Sequence, residues 1–144
     1  MIEIAPTDDL TACHAIRRVV FIEEQGVPEA EEIDDLDAAA LHLLARLDGR
    51  PVGTARLLRQ GDTGKIGRVA VLREARGTGL GAGLMRAAVE QFRAMDGVAR
   101  VKLGAQTHAL GFYEKLGFTA YGPEFDDAGI PHRAMVLQLD PVAG

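Results

Sequence analysis

The stretch that decides the fold is Val69-Ala70-Val71-Leu72-Arg73-Glu74-Ala75-Arg76-Gly77-Thr78-Gly79-Leu80-Gly81-Ala82-Gly83-Leu84. Its apolar start is typical of the end of a strand, and the glycine-rich segment that follows opens a helix. Backbone N–H groups in such a turn have no intrahelical partner, so together with the helix dipole they attract an anion. Glycines keep side chains away from these donors, and Arg76 adds a cationic donor. The stretch therefore predicts a phosphate-binding loop.

Two familiar nucleotide-binding motifs fit this loop poorly. A Walker loop needs Gly-Lys followed by Ser or Thr, whereas Gly64-Lys65 is followed by Ile66. A dinucleotide fingerprint can be laid over residues 77–82, but that motif belongs to the first strand–helix unit, with an acid about 20 residues later. Here the corresponding region offers Arg100 and Lys102. A nicotinamide-binding enzyme therefore stays a distant alternative, beside a glycine-rich turn that binds nothing.

Apolar periodicity on both sides of the loop predicts one α+β domain over residues 1–144. The predicted order, β-α-β-β-β-α-β-α-β-β, has one strand–helix–strand crossover in its middle. The expected elements are a strand at Ile2–Ala5, a helix capped by Thr7 and running to about Phe21, strands at Leu41–Leu47, Pro51–Arg59 and Lys65–Leu72, a helix to about Met95, a strand at Val98–Ala105, a helix at His108–Leu116, and strands at Phe118–Tyr121 and Arg133–Leu139 around an irregular segment, Gly122–His132.

Composition excludes several classes of protein. The 144 residues, 47% hydrophobic and 26% charged, suit an ordinary soluble domain. No apolar run approaches 18 residues, so no membrane span is expected. The net charge of −5 argues against nucleic-acid binding. The single cysteine, Cys13, favours a reducing, cytoplasmic setting and fits the core stripe of the first helix, and no pattern of Cys and His predicts a metal site.

The net charge hides a division along the chain. Residues 23–37 contain eight acids and no Lys or Arg, whereas residues 65–102 contain eight basic residues and three acids. An anionic ligand is therefore expected beside the basic segment, which includes the glycine loop.

Two segments together resemble the GNAT N-acetyltransferase superfamily. Its motif A joins an apolar-x-apolar strand end to Arg/Gln-x-x-Gly-x-Gly/Ala at the start of a helix, as in Val69–Val71 and Arg76–Gly81. Its motif B reads Asn-x-x-Ala-x-x-Phe-Tyr-x-Lys-x-Gly-Phe, and residues 106–118 match it except that Gln106 replaces Asn. The resemblance implies the GNAT fold, with a mixed, mostly antiparallel sheet flanked by helices. It also implies acetyl transfer from acetyl-CoA to a primary amine, on a small molecule or an amino terminus, by direct attack.

The resemblance also implies roles for individual residues. Backbone groups of Val69 and Val71 would pair with the pantetheine arm, an N–H group near Val71 would polarise the thioester carbonyl, and Tyr113 would protonate or hydrogen-bond the leaving thiolate. The implied CoA-binding residues are Val69, Ala70, Val71, Arg76, Gly77, Thr78, Gly79, Leu80, Gly81, Gln106 and Phe112. Two alternatives stay open: a Tyr113 ring that only packs under the next strand, and a non-catalytic CoA-binding regulatory or interaction module.

The remaining segments resemble the ElaA-like branch of the superfamily, on the residues 21–25, 32–37, His42, 125–132 and Met135. The branch does not specify the acceptor, and a homodimer is compatible with it. A few acids of residues 23–37, Glu24 and Asp34 first, are expected to face the acceptor cleft and attract a cationic amine; the alternative is a solvated acidic loop. His42 is either a core histidine or a base, and His132 is a further candidate for acceptor contact.

Overall fold

The computed structural model describes residues 1–139, in which one sheet carries helices on both faces. The strands are β1 (Ile2–Thr7), β2 (Leu41–Leu47), β3 (Arg50–Gln60), β4 (Thr63–Val71), β5 (Arg100–Gln106), β6 (Thr119–Asp127) and β7 (Ile130–Gln138). The helices are α1 (Leu10–Arg17), which continues as a π-helix over Arg18–Glu24, α2 (Glu29–Glu32), α3 (Leu80–Arg93) and α4 (Leu110–Lys115). The sheet order is β1-β2-β3-β4-β5-β7-β6, and only β4 and β5 are parallel. The mixed, mostly antiparallel α+β fold predicted from the sequence is confirmed.

The main core lies between α3 and one face of the sheet. Leu80, Leu84, Ala88 and Phe92 recur at the spacing of one helix face, and all four are buried. A smaller cluster lies on the other face, where Cys13 and Ile16 of α1 and Val20 pack against Leu44 and Ala70. The sheet is thereby covered on both sides at β2 to β4. Within residues 1–139, no helix is both long and apolar enough to cross a membrane.

The neighbouring strands β4 and β5 pair over only three residue pairs. Thr63, Gly64 and Lys65 lie opposite residues 100–102, and no pairing follows the Lys65–Lys102 position. On the other side of β4, two residues, Arg68 and Val69, oppose the single residue Ala55 of β3. This is a bulge, and Arg68 has a left-handed φ of 50° there. Since β5 stays paired with β7 as far as Gln106, the bent β4 separates from β5 and leaves a wedge in the sheet.

The N-cap of α1 lies two residues later in the chain than predicted. Asp9, rather than Thr7, is the N-cap, and its side chain accepts a hydrogen bond from the Ala12 N–H at 3.1 Å. The Thr7 hydroxyl instead accepts from the Asp9 N–H at 3.1 Å, so Thr7 belongs to the end of β1. Three successive residues that can each cap a helix, Thr7, Asp8 and Asp9, explain the ambiguity.

The segment 122–132, predicted to be irregular, is a β-hairpin. Its turn places Ala128 and Gly129 at φ values of 54° and 79°, as a tight two-residue turn requires. Asn-Gly or Asp-Gly is the usual signature of such a turn. Gly129 is a usual turn residue, but alanine rarely adopts this conformation, so the pair Ala128-Gly129 does not carry the two-residue signature.

Candidate active site

The glycine loop has the geometry of an anion site at the start of α3. Gly77 and Gly79 have φ values of 80° and 83°, which residues with a side chain rarely adopt. Gly79 is the N-cap of α3, and no side chain caps this helix. The hydroxyl of Thr78 donates to the carbonyl oxygen of Ala75 at 2.6 Å, so it is already engaged within the loop. The N–H groups of the first turn therefore remain as donors for a phosphate.

The Arg76 side chain connects the end of β4 to the end of the π-helix through two hydrogen bonds. Its Nε donates to the carbonyl oxygen of Val71 at 3.0 Å, and its Nη2 donates to Glu24 Oε1 at 2.6 Å. The Arg76 side chain is 43% exposed, so it remains accessible to a ligand. The loop therefore carries a cationic side chain at the mouth of the wedge.

A cavity of about 340 Å³ occupies the wedge beyond the loop. Tyr113 of α4 lines it, with its ring edge-on to Phe112 and to Phe118 at centroid distances of 5.0 and 6.3 Å. Burial raises the pKa of the Tyr113 hydroxyl above its usual value. At neutral pH the hydroxyl therefore keeps its proton and is a hydrogen-bond donor.

Two glutamines bridge the wedge near its opening. Gln106, at the end of β5, donates through Nε2 to Gln25 Oε1 at 2.9 Å. Gln25 follows the π-helix on the far side of the cavity, and both residues line it. His108 Nε2 lies 2.7 Å from Gln106 Oε1 and, since an amide oxygen only accepts, donates to it. The residue that replaces the usual Asn thus contacts the segment that follows the π-helix.

The acidic segment forms a buried ion-pair network with arginines. Asp37 accepts from Arg17 Nη1 and His14 Nε2, both at 2.8 Å, and from Arg56 Nη1 at 3.2 Å. Burial opposes the ionisation of Asp37, but the hydrogen bonds from Arg17 and His14 prevail and hold its pKa well below its usual range. The buried carboxylate of Glu32 also pairs with Arg17. The network fixes the residues 32–37 against α1 and β3.

The split sheet, the glycine loop and the partly buried Tyr113 together form one candidate site. Residues 17–139 match the acetyltransferase (GNAT) domain. The chain belongs to the GNAT acetyltransferase family. Two sequence relatives of this GNAT protein are the uncharacterized N-acetyltransferase YjcF of Bacillus subtilis and the protein ElaA of Escherichia coli K12. YjcF is 39% identical over 84% of this chain and 86% of its own length, and ElaA is 33% identical over 90% and 88%.

Solved structures agree with the sequence relatives of this GNAT protein. An acyl-CoA N-acyltransferase from Pseudomonas aeruginosa is 32% identical, with a TM-score of 0.86 over 95% of this chain and 99% of that chain. The crystal structure of E. coli ElaA gives a TM-score of 0.81 at 29% identity, over 95% and 99%. These likenesses confirm the family, which was predicted from the two motifs, and the ElaA-like branch, which was predicted from the remaining segments.

Of the four residues that were expected to contact the acceptor in this GNAT protein, only His132 lines the cavity. Glu24 and Asp34 do not line the cavity. Glu24 pairs with Arg76, and Asp34 pairs with Arg56 at 2.7 Å and with Arg68 at 3.2 Å. Each carboxylate is thus already paired with an arginine, which favours the alternative of a structural acidic segment for these two residues.

The two histidines also separate. His42 is buried away from the cavity, and its Nε2 donates to the carbonyl oxygen of Asp37 at 2.9 Å. This placement favours a core histidine over a base. His132 does line the cavity, with its ring stacked on Phe125 at 5.7 Å, and its Nδ1 lies 2.7 Å from the carbonyl oxygen of Ile130. A carbonyl oxygen only accepts, so Nδ1 carries a proton, and Nε2 of the neutral ring is an acceptor.

Four charged residues line the cavity although sequence reasoning named none of them individually: Glu31, Glu32, Arg68 and Asp127. The first two belong to the acidic segment 23–37, of which a few acids were expected to face a cleft. Arg68 enters through the bulge in β4 and donates to the carbonyl oxygens of Glu31 and Glu32 at 3.2 and 3.1 Å. Asp127 enters through the unpredicted hairpin. The bulge has no local sequence signal, and Gly129 alone does not define the two-residue turn, so Arg68 and Asp127 could not be located from the sequence.

Cys13 lies in the core under α1, as predicted. It is fully buried, and burial raises the pKa of its thiol, so a nucleophilic thiolate is disfavoured. Among residues 1–139, no three His, Cys, Asp or Glu side chains come together as a metal site.

Proposed function

We propose that this protein transfers an acetyl group from acetyl-CoA to a primary amine, which attacks the thioester directly. The observation that supports this most is the wedge between β4 and β5, which joins the anion-binding loop at one end to a cavity walled by Tyr113. The pyrophosphate of CoA would bind at Arg76–Gly81. The pantetheine arm would pair with the backbone of Val69–Val71, where β4 has left β5. A CoA thioester supplies an activated acyl group with a thiolate as its leaving group.

The residues of the wedge would act at two points of the transfer. A backbone N–H near Val71 would stabilise the negative charge that develops on the carbonyl oxygen. Tyr113 would donate a hydrogen bond to the departing sulfur. Because burial raises the pKa of Tyr113, full proton transfer to a thiolate, whose usual pKa is about 8.5, is uphill. We therefore assign Tyr113 mainly a hydrogen-bonding role.

The amine must lose a proton before it attacks. An alkyl amine with a pKa near 10.4 is only about 0.1% neutral near pH 7.4. His132 presents Nε2 as an acceptor in the same cavity as Tyr113, and it is the side chain we propose to contact the amine and take this proton. Glu31 and Asp127, on the same wall, would help to hold the resulting imidazolium.

Cofactor binding and turnover are tested separately. Acetyl-CoA and CoA are each expected to raise the melting temperature, because a ligand that binds only the folded state stabilises it. Arg76→Glu should remove most of this shift, whereas the matched control Arg73→Glu, an exposed arginine nearby, should keep it. No shift with either compound would overturn the proposal.

Turnover is measured as thiol release over a panel of primary amines. Release above the rate of spontaneous hydrolysis, with one acetylated amine formed per thiol, supports the transferase. A melting shift without release from any amine would instead indicate the non-catalytic CoA-binding module.

The setting and the partners follow from the same proposal. We propose a cytoplasmic enzyme whose partners are acetyl-CoA and the amine rather than nucleic acid, formed by one domain over residues 1–144. The free, buried Cys13 is compatible with a reducing compartment. Light scattering of the purified protein distinguishes a monomer from the homodimer that remains a prediction.

A further inference from the structure

A second cavity, of about 510 Å³, adjoins the wedge. It lies between β3, β4, β5 and β6, and its polar wall includes Arg56, Lys65, Lys102 and Tyr121. Both cavities are lined by Ile66, Gly67, Leu103 and Gly104, so they meet where β4 and β5 begin to separate.

This second cavity opens on the face of the sheet that carries α1, not α3. A Cβ at Gly64 would meet the ring of Phe92 in α3 at 2.5 Å, so Gly64 faces α3. Side chains alternate along a strand, which directs Lys65 to the opposite face. In β5, Val101 is buried in the core with α3, and Lys102 is directed away from it by the same alternation. The two lysines therefore share one face.

Lys65 and Lys102 are directly opposite each other in the parallel pair, at the last position before the wedge. Like charges at opposing positions destabilise a sheet. Within residues 1–139, neither ammonium group has a carboxylate oxygen within 4.0 Å. Lys102 instead lies over the ring of Tyr121, 5.5 Å from its centroid. The pair is thus an unfavourable arrangement that no acid of the described chain relieves.

The third basic residue of this cavity, Arg56, adds a further observation. Its side chain is 6% exposed, and Nη1 donates to Asp34 and Asp37. Its buried Nε has no hydrogen-bond partner in the described chain. Asp34 and Asp37 are each shared with another arginine, Arg68 and Arg17 respectively, so they leave no negative charge for the lysines. The cavity therefore carries excess positive charge.

We propose that the acceptor amine carries an anionic group at its other end, a carboxylate or a phosphate, which Lys65 and Lys102 bind in the second cavity. This rests on the acetyl transfer proposed above and names the class of its acceptor. The amine lies in the first cavity beside Tyr113 and His132, and the chain of the acceptor crosses the junction at Gly67. Four residues of strand, about 13 Å, separate Lys65 from Val69, so the amine and the anion are at opposite ends of an extended molecule.

The test compares acceptors that differ in one charge. The panel contains ω-amino carboxylates of increasing length, ω-aminoalkyl phosphates, and the uncharged primary amides of the same carboxylates. With the wild-type protein, we expect kcat/KM for the best anionic acceptor to be at least about tenfold higher than for its uncharged counterpart. This is the gain expected from one charge-assisted hydrogen bond. The ratio of carboxylates to phosphates identifies which anion fits.

Substitutions then locate the effect. Lys65→Gln and Lys102→Gln are each expected to reduce this preference to about twofold or less, with the rate on the amides and the affinity for CoA unchanged. Lys115→Gln, an exposed lysine outside both cavities, is the matched control. Gly67→Val should abolish the use of long anionic acceptors. A Cβ at Gly67 meets no atom within 4 Å and its φ is not positive, so this variant should fold.

The repulsion between Lys65 and Lys102 can also be tested without substrate, through the melting temperature. Lys65→Gln is expected to raise the melting temperature at low salt and to lose this advantage at high salt, because it relieves repulsion between like charges. Equal rates on anionic and uncharged acceptors, unchanged in both lysine variants, would overturn this inference while leaving the acetyltransferase proposal intact. No thiol release from any amine would overturn both.

Discussion

Glu24 Oε1 and Arg76 Nη2 are 2.6 Å apart, in an ion pair that joins the end of the π-helix to the glycine loop. The acidic and basic segments, separate in the sequence, are thus in contact in the fold. Arg68 makes a second connection, through Asp34. Several acids of residues 23–37 are therefore neutralised by arginines of the same protein, and they are not free to attract a separate ligand.

Removing the negative charge of Glu24 is expected to tighten CoA binding. Glu24→Gln keeps a hydrogen-bond acceptor for Arg76 but no longer offsets its positive charge beside the phosphates. We expect the Kd for CoA to fall about two- to fivefold at low salt, in line with the modest strength of an exposed ion pair. Titration calorimetry at low and high salt measures it, and the gain should shrink at high salt.

The neighbouring substitution Glu23→Gln is the control for this measurement, since Glu23 is an exposed acid of the same segment. An equal gain in both variants would assign the effect to net charge rather than to the pair. A weaker affinity in Glu24→Gln would show that the pair positions Arg76 for the ligand.

Tyr113→Phe is expected to slow turnover without weakening cofactor binding. The ring still packs against Phe112 and Phe118, whereas the donor to the sulfur is lost. A hydrogen bond to a charged group contributes about 1.5–3 kcal/mol, so kcat should fall roughly 10- to 150-fold. Steady-state thiol release measures kcat, and the Kd for CoA serves as the control. An unchanged kcat would remove Tyr113 from the mechanism.

The raised pKa of Tyr113 also predicts the shape of the pH profile. Burial raises the pKa of the hydroxyl above its usual value, so no loss of activity through Tyr113 is expected at a pH where an ordinary tyrosine is still protonated. The rate should rise with pH while the amine loses its proton. A falling limb between pH 8 and 10 that disappears in Tyr113→Phe would contradict the raised pKa.

Asp37→Asn is expected to destabilise the protein strongly. It removes the carboxylate that Arg17 and Arg56 share, and breaking a buried pair completely costs roughly 3–5 kcal/mol. Because Glu32 still pairs with Arg17 and Asp34 with Arg56, we expect a loss at the lower end of this range. Because the pKa of Asp37 is lowered in the folded state, its contribution to stability is complete above about pH 4 and is lost as pH falls further. Urea denaturation from pH 7 to pH 3 should therefore show a smaller acid-induced loss in the variant than in the wild type.

Asp35→Asn, at an exposed neighbouring acid, is the control and should leave the free energy of unfolding within about 0.5 kcal/mol of the wild type. If Asp37→Asn and wild type lost stability in parallel on acidification, the network would not be the source of the acid sensitivity.

Gly64→Ala tests the closed end of the wedge. The added Cβ would lie 2.5 Å from the ring of Phe92, which is fully buried and cannot move freely. We expect a loss of about 1–3 kcal/mol in the free energy of unfolding, from overpacking. Gly67→Ala, three residues along the same strand, meets no atom within 4 Å and should change stability little. Equal effects in the two variants would mean that strand propensity, and not the contact with Phe92, decides the outcome.

The sequence predicted those parts of the site that depend on local pattern. The strand end at Val69–Val71, the glycine loop and the stripe of α3 are contiguous along the chain, so spacing alone locates them. The α+β order and the position of Tyr113 in a short helix followed from the same reasoning and from the second motif. These elements needed no knowledge of distant contacts.

The acceptor side could not be predicted in this way, because it depends on pairing between distant segments. Asp34 and Glu24 look like free acids in the sequence, but Arg56 and Arg76 reach them only after folding. The opposition of Lys65 to Lys102 depends on the register of β4 against β5. No residue pattern identifies the bulge at Arg68 or the two-residue turn at Ala128. The side chains that these two features bring to the cavity, Arg68 and Asp127, could therefore not be predicted.

The bulge at Arg68 has a consequence for folding and aggregation. It gives the sheet an interior edge. On the side of β4 that faces β5, the backbone groups after Lys65 pair with no strand of the described chain. Exposed edges usually invite other polypeptides to add on. Here the cleft is flanked by its own strands on both sides and crossed by Gln25 and Gln106, so a second protein strand is screened out. We therefore expect this interior edge to pair with a ligand chain, such as the pantetheine arm proposed above, and not with a strand of another protein.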